Sequence, residues 1–487
     1  MKIGQASLVV FLSKLLASAL GFIGTLYFAR ELGAEVLGLY ALVMTVVGWL
    51  ILAGELGVGQ ATTKRISEGD EQGAYLSAAL VWVAGFAIVL SSAVIVGQPL
   101  LESYITEFDQ YVALSVVWFV VVILFVKLFY KMVFRTLKGE RKVHIAGLLD
   151  PVKIGGQSLF QIGLVVAGYG LLGMLVGYAI GGILVGLVGL YWVTVRPALP
   201  SKRHFRSLFD YAKFSWLGSL KSRTFNEVDI LLLGVFVQSA LVGVYAIAWS
   251  LAKFLELFGG AISSTMFPEI SHTSSQESKQ ATAGLIEDSL AFTGLIAIPG
   301  FVGGTILAER LLRIYGPEFV QGAAVLALLI FATLLYSYQK QLMNGLNGID
   351  RPDLAFRINA VFIVLNAGLN VVLIPQFGIE GAAFASVVSV TVALAFAYVT
   401  LRQLIEFHTP LGEIGRQVAA ALVMGAVVFG LLETIETTAV VQHNVAIVLF
   451  LAGAGAGLYF LALFAISSQF RTTVERNLPV DIPFVLR

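Results

Sequence analysis

The sequence predicts an all-α polytopic membrane protein of about 14 transmembrane helices: two six-helix lobes related by a pseudo-two-fold repeat, plus a terminal helix pair. Three observations predict it. Of 487 residues, 58% are hydrophobic and 13% charged, with a mean hydropathy of +0.89, far too apolar for a soluble chain of this size. The apolar residues gather into stretches near the ~20 residues that a helix needs to cross hydrocarbon. Three short words also recur in the same order at an offset slightly above two hundred residues.

The spans fall near 7–29, 36–57, 73–97, 110–130, 145–168, 171–193, 214–237, 240–262, 284–306, 320–344, 355–376, 378–401, 417–433 and 445–467. The seventh is loaded with charge and the thirteenth is short. Fifty glycines against twelve prolines suit helices whose small residues let backbones approach. Met1-Lys2, followed by a span without an A-x-A site, reads as a retained first helix and not a cleaved signal.

An even number of spans puts both termini on one side. With that side cytoplasmic, twenty lysines and arginines lie in cytoplasmic segments and three (Arg30, Arg310 and Arg313) in outer ones. This satisfies the positive-inside rule, and a missed helix would invert everything downstream of it. The expected location is the cell membrane. The connections are short and hold no soluble domain for an active site, so no enzyme is expected.

Composition excludes other classes. A net charge of +1 and the lack of a long charge run leave no nucleic-acid partner. With no cysteine there are no disulfides, thiol catalysis or cysteine metal sites. The five histidines stand apart, so neither a metal site nor a cofactor is expected.

The repeated words set the domain organisation. Leu37-Gly38-Leu39-Tyr40-Ala41-Leu42 opens the second span, and Val242-Gly243-Val244-Tyr245-Ala246-Ile247 the eighth. Leu137-Lys138-Gly139-Glu140-Arg141-Lys142 follows the fourth, and Leu346-Asn347-Gly348-Ile349-Asp350-Arg351 the tenth. Gly170-Leu171-Leu172-Gly173 begins the sixth, and Gly378-Ile379-Glu380-Gly381 the twelfth. Six spans per repeat give both halves one orientation, and substrate sites in such proteins lie between the halves. The expected divisions are an N-terminal lobe over 1–195, a linker over 196–213, a C-terminal lobe over 214–402, and the terminal pair and tail over 403–487.

Two six-helix bundles with a terminal pair and these words resemble the polysaccharide (lipid-linked oligosaccharide) flippases of the multidrug/oligosaccharidyl-lipid/polysaccharide exporter superfamily. Glu227-Val228-Asp229-Ile230-Leu231-Leu232-Leu233-Gly234 and the eleventh span, Asn359 to Pro375, carry the resemblance most clearly, and it covers essentially the whole chain. It implies a V of two lobes with alternating access. The substrate would be a polyprenyl-(di)phosphate-linked oligosaccharide, moved from the cytoplasmic to the outer leaflet. The partners implied are this lipid, the bilayer and polysaccharide assembly enzymes. Lipid II flippases and multidrug exporters share the fold, which leaves those substrates open. A membrane glycosyltransferase or polymerase is a rival of another class, but the outer loops are too short for its catalytic groups.

Ionisable residues within spans cost roughly 2.5–3.5 kcal/mol each on insertion scales, so they mark a wet interior. Lys14 in the first span and Lys221 and Arg223 in the seventh lie at comparable depths and would make a basic cradle for phosphate. Alternatively, Arg223 pairs with Glu227 at i+4 and Lys221 snorkels to the surface. Asp229, Glu55 and Glu256 are candidates for proton or sodium coupling or for counter-ions. Glu256 also stands at i+3 from Lys253, and Glu55 is close to the end of its span. Asn359, Asn366 and Asn370 share a face of the eleventh span, where amides either read sugar hydroxyls or bond between helices.

Overall fold

The computed structural model describes residues 3–276, 278–438 and 443–477. Among these, every regular element is helical. The side chains of 1–12, Lys14, Leu15, 213–219, Lys221, Ser222, Thr438, Arg476 and Asn477 lie outside the described residues.

The chain divides into two compact units, Met1–Ala246 and Ile247–Arg487. The first holds α1 (Ile3–Glu55), α2 (Val58–Glu68), α3 (Gln72–Val96), the short α4 (Gln98–Tyr104) and α5 (Phe108–Tyr111), α6 (Val116–Gly139), α7 (Val143–Val166), α8 (Gly170–Tyr191), α9 (Lys202–Phe236) and the first turns of α10 (Ser239–Gln276). The second continues from α10 into α11 (Lys279–Ile306), α12 (Ala308–Arg313), a 3-10 turn (Pro317–Gly322), α13 (Ala323–Gly348), α14 (Pro352–Leu404), α15 (Leu411–Thr438), α16 (Asn444–Ile466) and α17 (Ser468–Asn477).

A straight helix of 53 residues, the length of α1 and of α14, would run for about 80 Å, more than twice the hydrocarbon thickness. Each is broken once. The breaks are Gly33 at φ 81°, ψ 176° and Gly378 at φ 57°, ψ −133°, a backbone that side chains resist and glycine accepts. Each long helix is therefore two spans. Ten described helices are long and apolar enough to cross a membrane. Counting α1 and α14 twice and adding the more polar α7 and α9 gives the fourteen spans the sequence predicts.

Two boundaries move. The fourth span is α6, which starts at its Ser115 cap and runs to Gly139, so Lys131 and Arg135 sit on the helix and not in a loop. The physical reason is pairing: a carboxylate from α1 compensates both cations, so neither has to leave the bundle. The seventh helix begins at Lys202, where Ser201 and His204 form a reciprocal cap. Only residues up to Ser201 of the 196–213 segment are non-helical. The repeat boundary and the unit boundary also differ, because α9 packs on α1, α2 and α3 of the first unit.

The repeated words perform the same local tasks. After α6, Arg141 takes φ 62° and Lys142 N–H donates to Leu137 O at 2.9 Å. After α13, Asp350 takes φ 56° and Arg351 N–H donates to Leu346 O at 2.9 Å. Both are Schellman-type closures in which a left-handed residue lets the chain satisfy helix-end carbonyls. The first word makes a reciprocal contact. A Cβ on Gly38 would fall inside the van der Waals shell of Ser239 O, four residues before Gly243, and one on Gly243 inside that of Ala34 O, four before Gly38. Contacts of this form, i with j and j with i, belong to a local two-fold axis.

Candidate functional site

The polar interior of the first unit is built on α6. Lys127, Lys131 and Arg135 follow at steps of four and lie along one side of the helix. Lys131 Nζ donates to Glu55 Oε2 at the end of α1, and Arg135 Nε lies 3.9 Å from Glu55 Oε1. On α7, Lys153 donates to Asp150 at 3.0 Å and lies over the rings of Tyr130 and Phe134 at 5.7 and 5.6 Å. Lys127, about 17 Å from either end of α6 at 1.5 Å per residue, places its ammonium 5.3 Å from the Tyr178 ring centre.

Neutral polar groups continue from there. Tyr130 and Tyr178 hydroxyls meet at 3.1 Å, and Gln161 Nε2 donates to Tyr40 OH at 3.1 Å and to Met174 O at 2.8 Å. Four helices thus supply one continuous patch of cations, hydroxyls and amides.

The sequence-predicted residues distribute as follows. Arg223 donates to Glu227, the i+4 alternative, and the pair sits where α1 has Gly48: a Cβ there would overlap both side chains. Lys14 and Lys221 have side chains outside the described residues. Asp229 is buried and accepts from Tyr245 OH at 2.5 Å. Glu55 is an ion-pair partner of α6. Glu256, set against Lys253 in the sequence, pairs with Lys340 of α13 at 3.6 Å, while Lys253 lies over the Trp249 ring at 5.3 Å.

Asn366 and Asn370 are buried. Asn366 Nδ2 donates to Ser386 Oγ at 3.3 Å across the α14 break, and Asn370 Nδ2 donates to Asn366 O at 2.9 Å. Asn359 is only half-buried, and its Oδ1 has no hydrogen-bond partner. Gln157 and Gln161 on α7 stand 209 residues before Asn366 and Asn370, the separation of Gly139 and Gly348. Both lobes therefore carry a buried amide pair at the same place in the repeat.

Sequence reasoning missed the α6 stripe and the Tyr40, Tyr130 and Tyr178 group. The signal was present in the spacing Lys127, Lys131, Arg135. Ending the span at residue 130 concealed it by assigning the last two to a loop.

The fold and this interior define a polytopic helical membrane protein of two repeats with a charged core. The pattern of the polysaccharide biosynthesis protein family matches residues 3–274, and that of the MatE family residues 217–372. The chain is 30% identical to the probable flippase AglR of Haloferax volcanii over 482 residues, 98% of each protein. It is 28% identical to the probable low-salt glycan biosynthesis flippase Agl15 of the same organism, covering 91% of this chain and 92% of that one. The chain belongs to the polysaccharide biosynthesis protein family. Its fold is similar to that of a solved structure described as the lipid II flippase MurJ, inward closed conformation, with a TM-score of 0.76 at 15% identity, covering 96% of this chain and 100% of that one. A multidrug resistance MATE transporter in an inward-facing conformation gives 0.66 at 15% identity, over 81% and 98% of the two chains.

Proposed function

We propose that the protein is a flippase that carries a polyprenyl-(di)phosphate-linked oligosaccharide from the cytoplasmic to the outer leaflet by alternating access. The observation that carries this reading is the charge of the first unit's interior. Lys127, Lys131, Arg135, Lys153 and Arg223 face Glu55, Asp150, Glu227 and Asp229, leaving the described side chains net positive. A cationic drug gains nothing there. A phosphate on a lipid does, because desolvated cations bind oxyanions through charge-assisted hydrogen bonds. The near full-length likeness to two proteins named as flippases supports the same conclusion.

In this reading the face carrying Lys64, Arg65, Lys138 and Arg141 is cytoplasmic, in the cell membrane, and both termini lie there. Arg223 with Lys14 and Lys221 receives the phosphate and Glu227 holds the Arg223 fork until it does. Asn359 contributes an open amide for sugar hydroxyls. Asp229, with Tyr245, is the candidate for ion coupling, and Glu55 and Glu256 are counter-ions. The enzymes that build the glycan act before this step, and those that use it act after.

Proteoliposomes containing the purified protein and a fluorescent lipid-linked oligosaccharide test this. The expected result is protein-dependent movement of the glycan between leaflets, slowed at least about tenfold in Arg223→Ala, the scale of one charged hydrogen bond. Movement no faster than in empty vesicles, with folded protein present, would sink the flippase reading.

A further inference from the structure

Four of the five described interior cations of the first unit have a carboxylate within 4.0 Å: Lys131 and Arg135 share Glu55, Lys153 has Asp150, and Arg223 has Glu227. Lys127 has none. Glu227 acts on it from further away, and Arg223, Lys131 and Lys153 surround it with charge of its own sign. A half-buried ammonium at mid-membrane without a close counter-ion is costly to keep, so it marks a place for an anion that arrives.

What lies next to Lys127 is neutral and polar. Tyr178 is under its ammonium, and Tyr178 shares a hydrogen bond with Tyr130. Gln157 reaches the Tyr178 hydroxyl region from α7. It is 6% exposed, and its Nε2 lacks a partner of good geometry. Measured from the helix ends opposite the basic rim, Tyr178 lies about 12 Å in and Gln157 about 14 Å at 1.5 Å per residue. Cations fill the basic half of the unit up to Lys127, and hydroxyl and amide groups follow it. That order matches a ligand that is a phosphate at one end and a polyhydroxylated ring at the other.

The geometry points to a headgroup subsite inside the first unit: Lys127 holds the lipid phosphate at mid-depth, and Gln157 and the Tyr178 hydroxyl bond the sugar next to it. This assignment rests on the flippase reading and adds a further headgroup position to the one proposed for Arg223, Lys14, Lys221 and Asn359. Lys127 is the affinity determinant and Gln157 the one that distinguishes a glycosylated lipid from a bare lipid phosphate. An amide Nε2 without a good acceptor gains a full hydrogen bond by donating to a sugar hydroxyl, a group that a bare lipid phosphate does not carry.

The test uses the full-length protein in nanodiscs, titrated with a short-chain polyprenyl phosphate, the same lipid bearing a disaccharide through a diphosphate, and inorganic phosphate. Lys127→Met is expected to weaken both lipids at least about tenfold, and Lys127→Arg to keep most of the affinity, which separates lost charge from lost fold. Gln157→Leu is expected to weaken the glycosylated lipid several-fold and leave the bare one unchanged. Wild-type binding of both lipids by Lys127→Met overturns the subsite, as does equal loss of both lipids in Gln157→Leu. Inorganic phosphate binding as tightly as the lipids also overturns it, in favour of a general anion site. In each of these cases the wild-type protein still flips the glycan. Failure of wild type to bind or move either lipid removes the flippase reading itself.

Discussion

The fourth helices of the two repeats, α6 and α13, share a scaffold and differ in charge. At the offset of 209 residues that relates Gly139 to Gly348, Lys127, Lys131 and Arg135 stand opposite Tyr336, Lys340 and Asn344. The middle position is kept in both residue and role: Lys131 pairs with Glu55, and Lys340 with Glu256. The outer two diverge. Asn344 spends its amide on Ser263 Oγ at 2.6 Å, an internal bond, where Arg135 extends toward Glu55. Tyr336 stands in place of Lys127, the one of the five described interior cations of the first unit without a carboxylate within 4.0 Å. Duplication preserved what holds the helices together. Of the two fourth helices, α6 alone carries the two further cations at these positions.

The comparison breaks most severely at a residue that packing alone requires. Gly38→Leu, or equally Gly243→Leu, places a side chain where backbone carbonyl oxygen already stands. We expect destabilisation of about 3 kcal/mol or more, seen as loss of protein from membranes and an early thermal transition. Gly430→Leu, with nothing within 4 Å of its Cβ, should accumulate like wild type. Normal yields of Gly38→Leu would mean the two helices do not meet as described.

A smaller effect sharpens the charge asymmetry. Lys127→Tyr gives α6 the residue of α13, and Tyr336→Lys does the reverse. The first should slow glycan flipping at least about tenfold with protein levels preserved, since one charged hydrogen bond is lost. The double swap should not restore it. Recovery of flipping in the double swap would show that a cation on either fourth helix suffices, and the asymmetry would lose its meaning.

The smallest effect lies at the rim. Glu140 follows α6, and its repeat counterpart is Ile349. Burial pushes the Glu140 carboxyl up, but Lys142 and the N–H groups of Val195 and Thr194 outweigh it and hold the carboxyl below its ordinary 4.5. A lowered folded value means its contribution is complete above the ordinary value and is lost as pH falls through the lowered one. Glu140→Ala should therefore speed amide exchange at Thr194 and Val195 near neutral pH. Wild type should approach the variant's exchange pattern, after correction for intrinsic rates, only below pH 4.5. Identical protection in the two proteins at neutral pH would remove Glu140 as the tie. No such step is expected after α13.

The helices were legible because a membrane span announces itself by length and composition, and the repeat because its words perform backbone tasks that few residues can do. Left-handed Arg141 and Asp350 close their helices alike, and the sequence showed both words. The ion partners were less legible. Arg223 and Glu227 lie one turn apart and were readable as a pair, whereas Glu256 and Lys340, or Glu55 and Lys131, are separated by long stretches of chain. Spacing along one helix carries no information about which neighbouring helix brings the opposite charge.

Hydropathy alone determined that this chain crosses a membrane about fourteen times, since no other environment accepts so much apolar surface with its backbone satisfied internally. Internal likeness alone determined that it does so as two repeats. Which charges are paired, and that Lys127 is the cation left beside tyrosines and an amide without a close carboxylate, was decided by how α1, α6, α7, α8 and α9 pack. Electrostatic compensation acts across a few ångströms of space, and only the tertiary structure sets those distances.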